Sequence, residues 1–124
     1  YSSAASDVYK SQFHKLADII NVPVLTSRRG ADIVPNNHKL YFGRPGSYGQ
    51  RSANFIIQNS DLLLCIGARL SIPHIGRNYK YFARNAKKII VDVGASDGLF
   101  YKSIRHIGIK NKLYAFEPLK ENLK

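Results

Sequence analysis

Apolar positions recur along this chain in two rhythms, helical and extended, that follow one another. Val8, Phe13, Leu16, Ile19 and Ile20 lie near helical spacing, with Ser6 placed as an N-cap and Asp7 favourable in the first turn. Pro23-Val-Leu-Thr26 reads as a short strand, and Ser27-Arg-Arg-Gly30 as the turn after it. From Ala31 to Gln50 the rhythm stops in a loop rich in Asn, Pro and Gly, with Gly43, Gly46 and Gly49 evenly spaced. So long an irregular stretch points to a functional loop or a missing neighbour. The pattern resumes with a helix over Ser52 to Asn59 and an apolar strand over Asp61 to Ile66, ending at Gly67. Ser71 to Asn78 is a second loop, and Tyr79 to Asn85 a short helix.

The most informative stretch is Lys88-Ile-Ile-Val-Asp-Val-Gly-Ala-Ser-Asp-Gly98. Ile89 to Val93 has the composition of a strand buried on both faces of a parallel sheet. It runs into a glycine turn, then a helix carrying Leu99, Phe100, Ile104 and Ile107, with Asp97 placed to cap it. Strand, glycine turn and helix N-terminus offer backbone N–H groups to a nucleotide-like ligand. The same pattern also serves as a tight turn with no ligand, and spacing leaves both readings open. A strand at Lys112 to Phe116 and a helix opened by Pro118 complete the chain. Alternating strands and helices predict an α/β fold: a Rossmann-like parallel sheet with flanking helices, incomplete at both ends.

Composition narrows the classes. The 124 residues, 44% hydrophobic and 22% charged, suit one globular domain. No apolar run approaches the roughly 18 residues of a membrane span, and no signal peptide is present. Cys65, the single cysteine, sits in Leu62-Leu-Leu-Cys-Ile66, so a buried, inert thiol in a reducing cytoplasm is expected. The net charge of +11 favours polyanions, but Arg28-Arg29, Lys87-Lys88 and the Lys102 to Lys112 region are separate. Salt-sensitive adsorption is expected, not specific nucleic-acid recognition. Without methionine, and with an apparent helix still running at Lys124, the chain reads as a segment of something longer.

Several blocks of text carry a resemblance. They are Leu16-Ala-Asp-Ile-Ile-Asn-Val-Pro-Val-Leu-Thr26, Tyr41-Phe-Gly-Arg-Pro-Gly-Ser-Tyr-Gly-Gln-Arg-Ser-Ala-Asn54, Gln58-Asn-Ser-Asp-Leu-Leu-Leu-Cys-Ile-Gly-Ala-Arg-Leu70 and Phe82-Ala-Arg-Asn-Ala-Lys-Lys-Ile-Ile-Val-Asp92. In this order they resemble the central domain of thiamine-diphosphate-dependent enzymes of the acetolactate synthase type, over residues 13 to 92. The resemblance implies a Rossmann-like sheet that holds FAD in some members and is structural in others. Where FAD binds, the glycine loop matching Gly46 to Gly49 and the segment after Gly67-Ala-Arg69 lie near it. Flavin-binding members continue that arginine with acidic residues; here Leu70-Ser-Ile-Pro73 follows, which argues against FAD. Thiamine diphosphate is held by flanking domains in the family, so this segment is not expected to bind it, and those missing domains are the implied partners.

Val91-Asp-Val-Gly-Ala-Ser-Asp-Gly98, followed by Leu113-Tyr-Ala-Phe-Glu-Pro118, resembles the start of an FkbM-type S-adenosylmethionine-dependent methyltransferase. That resemblance puts the cofactor at Asp92, Gly94, Ser96, Asp97, Gly98 and Glu117. Glu117 follows Gly94 by 23 positions, close to the spacing of ribose recognition in a dinucleotide-type unit. As a solvated acid opening a helix, Glu117 would need no ligand. The resulting division is residues 1–92 and 89–124, sharing one strand, with S-adenosylmethionine weakly held and no catalysis by the chain alone. A weak adenosine-type binding module and a basic polyanion binder are the alternatives.

Other candidates fall away. His14, His38, His74 and His106 lack metal-ligand spacing. Asp97 and Asn122 mimic a thiamine-diphosphate metal motif, but Asn122 lies past the strand end where that chemistry needs it.

Overall fold

The computed structural model describes residues 3–93, 102, 105–106 and 112–116, with side chains at 10–91, 102, 105–106 and 112–114. The chain divides into two compact units, Tyr1–Ile56 and Ile57–Lys124.

The first unit opens with helix α1, Ser3–Ile20. It begins before the expected N-cap, so Ser6 lies inside it; Ala4 and Ala5 are strong helix formers that extend the first turn. Asn21 ends it in the left-handed region, φ 52°, donating its N–H to the Ala17 carbonyl at 2.8 Å. The inward face also differs from the expected stripe. Lys10, Phe13, His14 and Ala17 are buried or half-buried, whereas Leu16, Ile19 and Ile20 are exposed. Two polar contacts lie on this inward face: Lys10 pairs with Asp32 at 2.9 Å, and the His14 Nε2–H donates to the Ile33 carbonyl at 2.6 Å. Ala17, Val24 and Val34 then form the core, with Phe13, Ile33, Leu40 and Tyr41 against them.

Pro23 to Thr26 is extended but joins no sheet. Val24 makes an isolated parallel bridge to Tyr41, with Val24 N–H bonded to the Leu40 carbonyl at 2.7 Å and Thr26 N–H to that of Gly43 at 3.1 Å. The expected turn is a 3-10 turn at Arg28–Gly30, capped by Ser27. Helix α2, Arg51–Asn59, matches its expected span, and the unit boundary falls within it.

The second unit holds strands β1 (Leu62–Ile66), β2 (Lys87–Val93) and β3 (Lys112–Phe116), parallel and in that order. The predicted α/β parallel architecture is present in this three-stranded sheet with its flanking helices. Alternation puts Leu63, Cys65, Ile90 and Leu113 on one face, where Ala68 and Leu70 pack over Cys65 and Ile90. The other face leaves Leu62, Leu64, Ile66 and Tyr114 exposed, with Ile89 and Val91 half-buried. Of the stretch Ile89 to Val93 expected to be buried on both faces, Ile90 is 2% exposed and Ile89 and Val91 are half-buried, while the side chains of Asp92 and Val93 lie outside those described. The loop after β1 contains a one-turn helix α3, Ile72–Ile75. Tyr79 to Asn85 is a 3-10 turn at Tyr79–Tyr81 followed by turns, not a helix. Ala83 at φ 44° breaks the helical path, and the Lys88 ammonium holds the turn by donating to the Ala83 and Ala86 carbonyls at 2.8 and 3.1 Å.

Candidate functional site

The most ordered polar construction is the corner from Phe42 to Asn54. Gly43 and Gly46 take φ of 102° and 122°, conformations that side chains disfavour. At Gly49 a side chain would overlap the Arg44 carbonyl oxygen and the Gly46 nitrogen, so the turn closes only on glycine. Two amides at the start of α2 lock it. Gln50 Oε1 accepts from the Arg44 N–H at 2.8 Å. Asn54 accepts from the Gly46 N–H at 2.7 Å through Oδ1 and donates to the Gly46 carbonyl at 2.9 Å through Nδ2. Ser52 Oγ donates to the Phe42 carbonyl at 3.1 Å. Sequence reasoning noticed the glycines and missed the amides; the signal available was Gln50 and Asn54 one helical turn apart directly after Gly49.

Beside this corner lies an open hollow of about 460 Å³, lined by Asn36, Tyr41, Phe42, Gly43, Arg44, Gln50, Ser52 and Ala31. Its polar side chains are amides, a hydroxyl, a phenol and a guanidinium, beside the apolar Phe42 and Ala31. No carboxylate, imidazole or thiol lines it, so it offers hydrogen bonds and positive charge but no general acid or base near neutral pH. Tyr41 is braced by its hydroxyl, 3.2 Å from the Oγ1 of buried Thr26.

Two of the four histidines lie side by side. The His14 and His38 rings are 5.9 Å apart, with His38 Nε2 3.7 Å from Asp18 and His38 Nδ1 accepting from the Leu40 N–H at 3.2 Å. Among the described residues no group of three His, Cys, Asp or Glu side chains could hold a metal. Cys65 is buried as expected; burial pushes its thiol up to about 11, against the opposing pull of Lys88. Burial in turn lowers Lys88, with Cys65 opposing.

Of the residues expected to hold S-adenosylmethionine, Asp92 lies on β2, its backbone paired with Ala115. Gly94, Ser96, Asp97, Gly98 and Glu117 fall outside the described residues, as does the helix at Pro118. Of the helix expected after Gly98, Lys102, Arg105 and His106 are described and helical. Val93 pairs with Phe116, so positions 94 and 117 each follow directly on paired residues at neighbouring strand ends.

A family model described as the thiamine pyrophosphate enzyme, central domain, matches residues 2–102. The chain belongs to that family. As a thiamine pyrophosphate enzyme central domain it is 37% identical over 83 residues to the probable acetolactate synthase large subunit of Methanococcus aeolicus, covering 67% of this chain and 14% of that protein. The corresponding protein of Methanocaldococcus jannaschii is 32% identical over 83 residues, 67% of this chain and 14% of that one. The acetolactate synthase isozyme 1 large subunit of Escherichia coli strain K12 is 33% identical over 87 residues, 70% of this chain and 15% of its own length. The chain thus spans about 14% of the length of the curated relatives it matches.

Proposed function

We propose that this chain is a central-domain segment of an acetolactate-synthase-like enzyme that builds structure and does not catalyse by itself. The flanking domains of such an enzyme are its partners and carry the thiamine pyrophosphate. One observation supports this reading above the rest. Gln50 Oε1 and the Asn54 amide are bonded to the Arg44 and Gly46 backbone, while the residues lining the adjoining hollow include no carboxylate, imidazole or thiol. FAD is not assigned to the segment after Gly67. Leu70 there packs against Cys65 and Ile90, and Ser71 Oγ lies 2.8 Å from His74 Nδ1, with no carboxylate in the sequence between them. The chain supplied with thiamine pyrophosphate, magnesium and pyruvate should form no acetolactate. Product above a control without protein would overturn the reading.

A second reading concerns residues 89–124, sharing β2 with residues 1–92. Here the strand ends form the cofactor unit of a methyltransferase, with Asp92, Gly94, Ser96, Asp97, Gly98 and Glu117 at an adenosine-type ligand. Its support is the parallel pairing of Val93 with Phe116, which makes positions 94 and 117 successors to adjacent strand ends, where open α/β sheets bind ligands. Against it stands the thiamine pyrophosphate central-domain match, which reaches residue 102 and so takes in Gly94 to Gly98. Affinity for S-adenosylhomocysteine should be about millimolar, near −4 kcal/mol. Replacing Glu117 by Ala should weaken it by roughly 1.5–3 kcal/mol, the scale of a hydrogen bond to a charged group. Calorimetry with equal heats for both chains would count against the carboxylate.

A further inference from the structure

Two aromatic rings and two arginines are exposed together on the glycine corner, all within the first unit. Tyr48 is 97% exposed and Phe55 68%, and Arg44 and Arg51 are exposed as well. Backbone and amide bonds set the four close to one another. The Gln50 N–H donates to the Arg44 carbonyl at 2.8 Å, which brings Arg44 beside the start of α2 at Arg51. The Asn54 amide holds Gly46 through two bonds, tying the turn that carries Tyr48 to the residue before Phe55. Arg51 and Phe55 lie one helical turn apart on α2 and share a face. No Asp or Glu occurs from Ile33 to Ser60, and neither arginine is ion-paired among the described residues.

We propose that this corner binds single-stranded nucleic acid without regard to sequence. Each nucleotide of an open strand presents one phosphate and one flat base, and the corner presents guanidinium groups and aromatic rings to match. An acidic protein segment would answer the arginines and leave the rings unmatched. A duplex, whose bases are already stacked on one another, would leave them unmatched too. The corner is locked by Gln50 and Asn54 and closes only on glycine at Gly49, so the turn carrying Tyr48 needs little further ordering on binding. Every base has an apolar face, so stacking does not distinguish sequences. Affinity builds over several nucleotides at once, and a lone dinucleotide cofactor is not retained there. This binding is independent of the function proposed above.

Fluorescence anisotropy with labelled oligothymidylate, oligoadenylate, a duplex, inorganic polyphosphate and polyglutamate tests it. The net charge of +11 alone attracts every one of these, so the rings carry the decision. The two single strands should bind alike and more tightly than the duplex or polyglutamate. Tyr48→Ala should weaken strand binding about tenfold and leave polyphosphate binding unchanged, whereas Tyr48→Phe keeps the ring and the affinity. Phe55→Ala should act in the same way, and Tyr48→Ala decides alone if that chain fails to fold. Tyr81→Ala removes a ring 63% exposed in the second unit and should change nothing. Arg44→Gln and Arg51→Gln should each flatten the logarithmic salt slope by about 0.7. A strand affinity untouched by Tyr48→Ala, or equal losses for strand and polyphosphate, would overturn the proposal. So would a preference for duplex or polyglutamate, or a Tyr81→Ala loss as large as that of Tyr48→Ala.

Discussion

Between Phe13 and Asn54 a small apolar core and irregular backbone bonds are joined by side chains bonding to backbone: His14 to Ile33, Gln50 to Arg44, Asn54 to Gly46, Ser52 to Phe42. From Leu62 to Phe116 the same work is done by a regular parallel ladder and one packed apolar face. The difference lies in what specifies each region. A ladder follows from alternation alone and tolerates many sequences, whereas the glycine corner depends on a few atoms whose partners lie several residues away. The first kind of region should fail by cavity formation, the second by loss of individual hydrogen bonds.

The largest effect should come from the sheet. Ile90→Ala, at the most enclosed position of the packed face, should cost about 3 kcal/mol in urea unfolding. The loss should appear first in exchange of the β1 and β2 amides. A cost below about 1 kcal/mol would mean that the face is looser than its burial indicates.

Alkaline pH probes the same face chemically. The Cys65 thiol rises from 9.0 to about 11 in the folded chain, so the folded state holds its proton more tightly. Its contribution is whole below pH 9 and is lost as pH rises towards 11, at most about 2–3 kcal/mol. Urea midpoints against pH should fall through this window in the native chain and less in Cys65→Ala. Identical slopes would show that other groups cause the fall.

The glycine corner should respond on a smaller scale. Asn54→Ala removes one accepted and one donated bond at a half-buried position and should cost roughly 1–2 kcal/mol, with faster exchange at the Gly46 amide. Asn54→Asp keeps the acceptor and should cost less. Equal losses in the two variants would mean that the donated bond to the Gly46 carbonyl dominates.

The smallest effect belongs to Asp32. The hydrogen bond from Lys10 holds its carboxyl below the ordinary 3.8, helped by its own backbone and by the charge of Lys10. A lowered carboxyl stabilises above its ordinary range and loses that contribution as pH falls through the folded value. Because the group is fully exposed, Asp32→Asn should leave the unfolding midpoint at neutral pH unchanged. Carbon NMR should show its titration moving up in Lys10→Ala.

These contrasts also mark what could be read from residues alone. Strands β1 and β3 and helix α2 lie within a residue of their expected spans, because short apolar runs bounded by polar residues have few alternatives. The rotation of α1 was misjudged because hydrophobicity favoured Leu16, Ile19 and Ile20. His14 faces inward with a hydrogen bond to the Ile33 carbonyl that lies outside the periodicity. The helix expected over Tyr79 to Asn85 gave way to a left-handed Ala83 that local propensity does not favour. Gly43, Gly46 and Gly49 announced a special loop, but its lock required knowing that Asn54 folds back onto Gly46.

The most direct test of the proposed structural corner against the proposed adenosine site at the sheet end is one NMR titration series. The isotope-labelled chain would receive S-adenosylhomocysteine, FAD and magnesium thiamine pyrophosphate in turn, with amides followed at Gly43, Gly46 and Gly49 and along β2 and β3. The expected result is millimolar shifts at the carboxyl ends of β2 and β3 with the adenosine ligand. The glycine corner should not respond to FAD or to thiamine pyrophosphate. Saturable shifts at Gly43, Gly46 and Gly49 with either of those two, and silence at the strand ends, would contradict both halves of the claim.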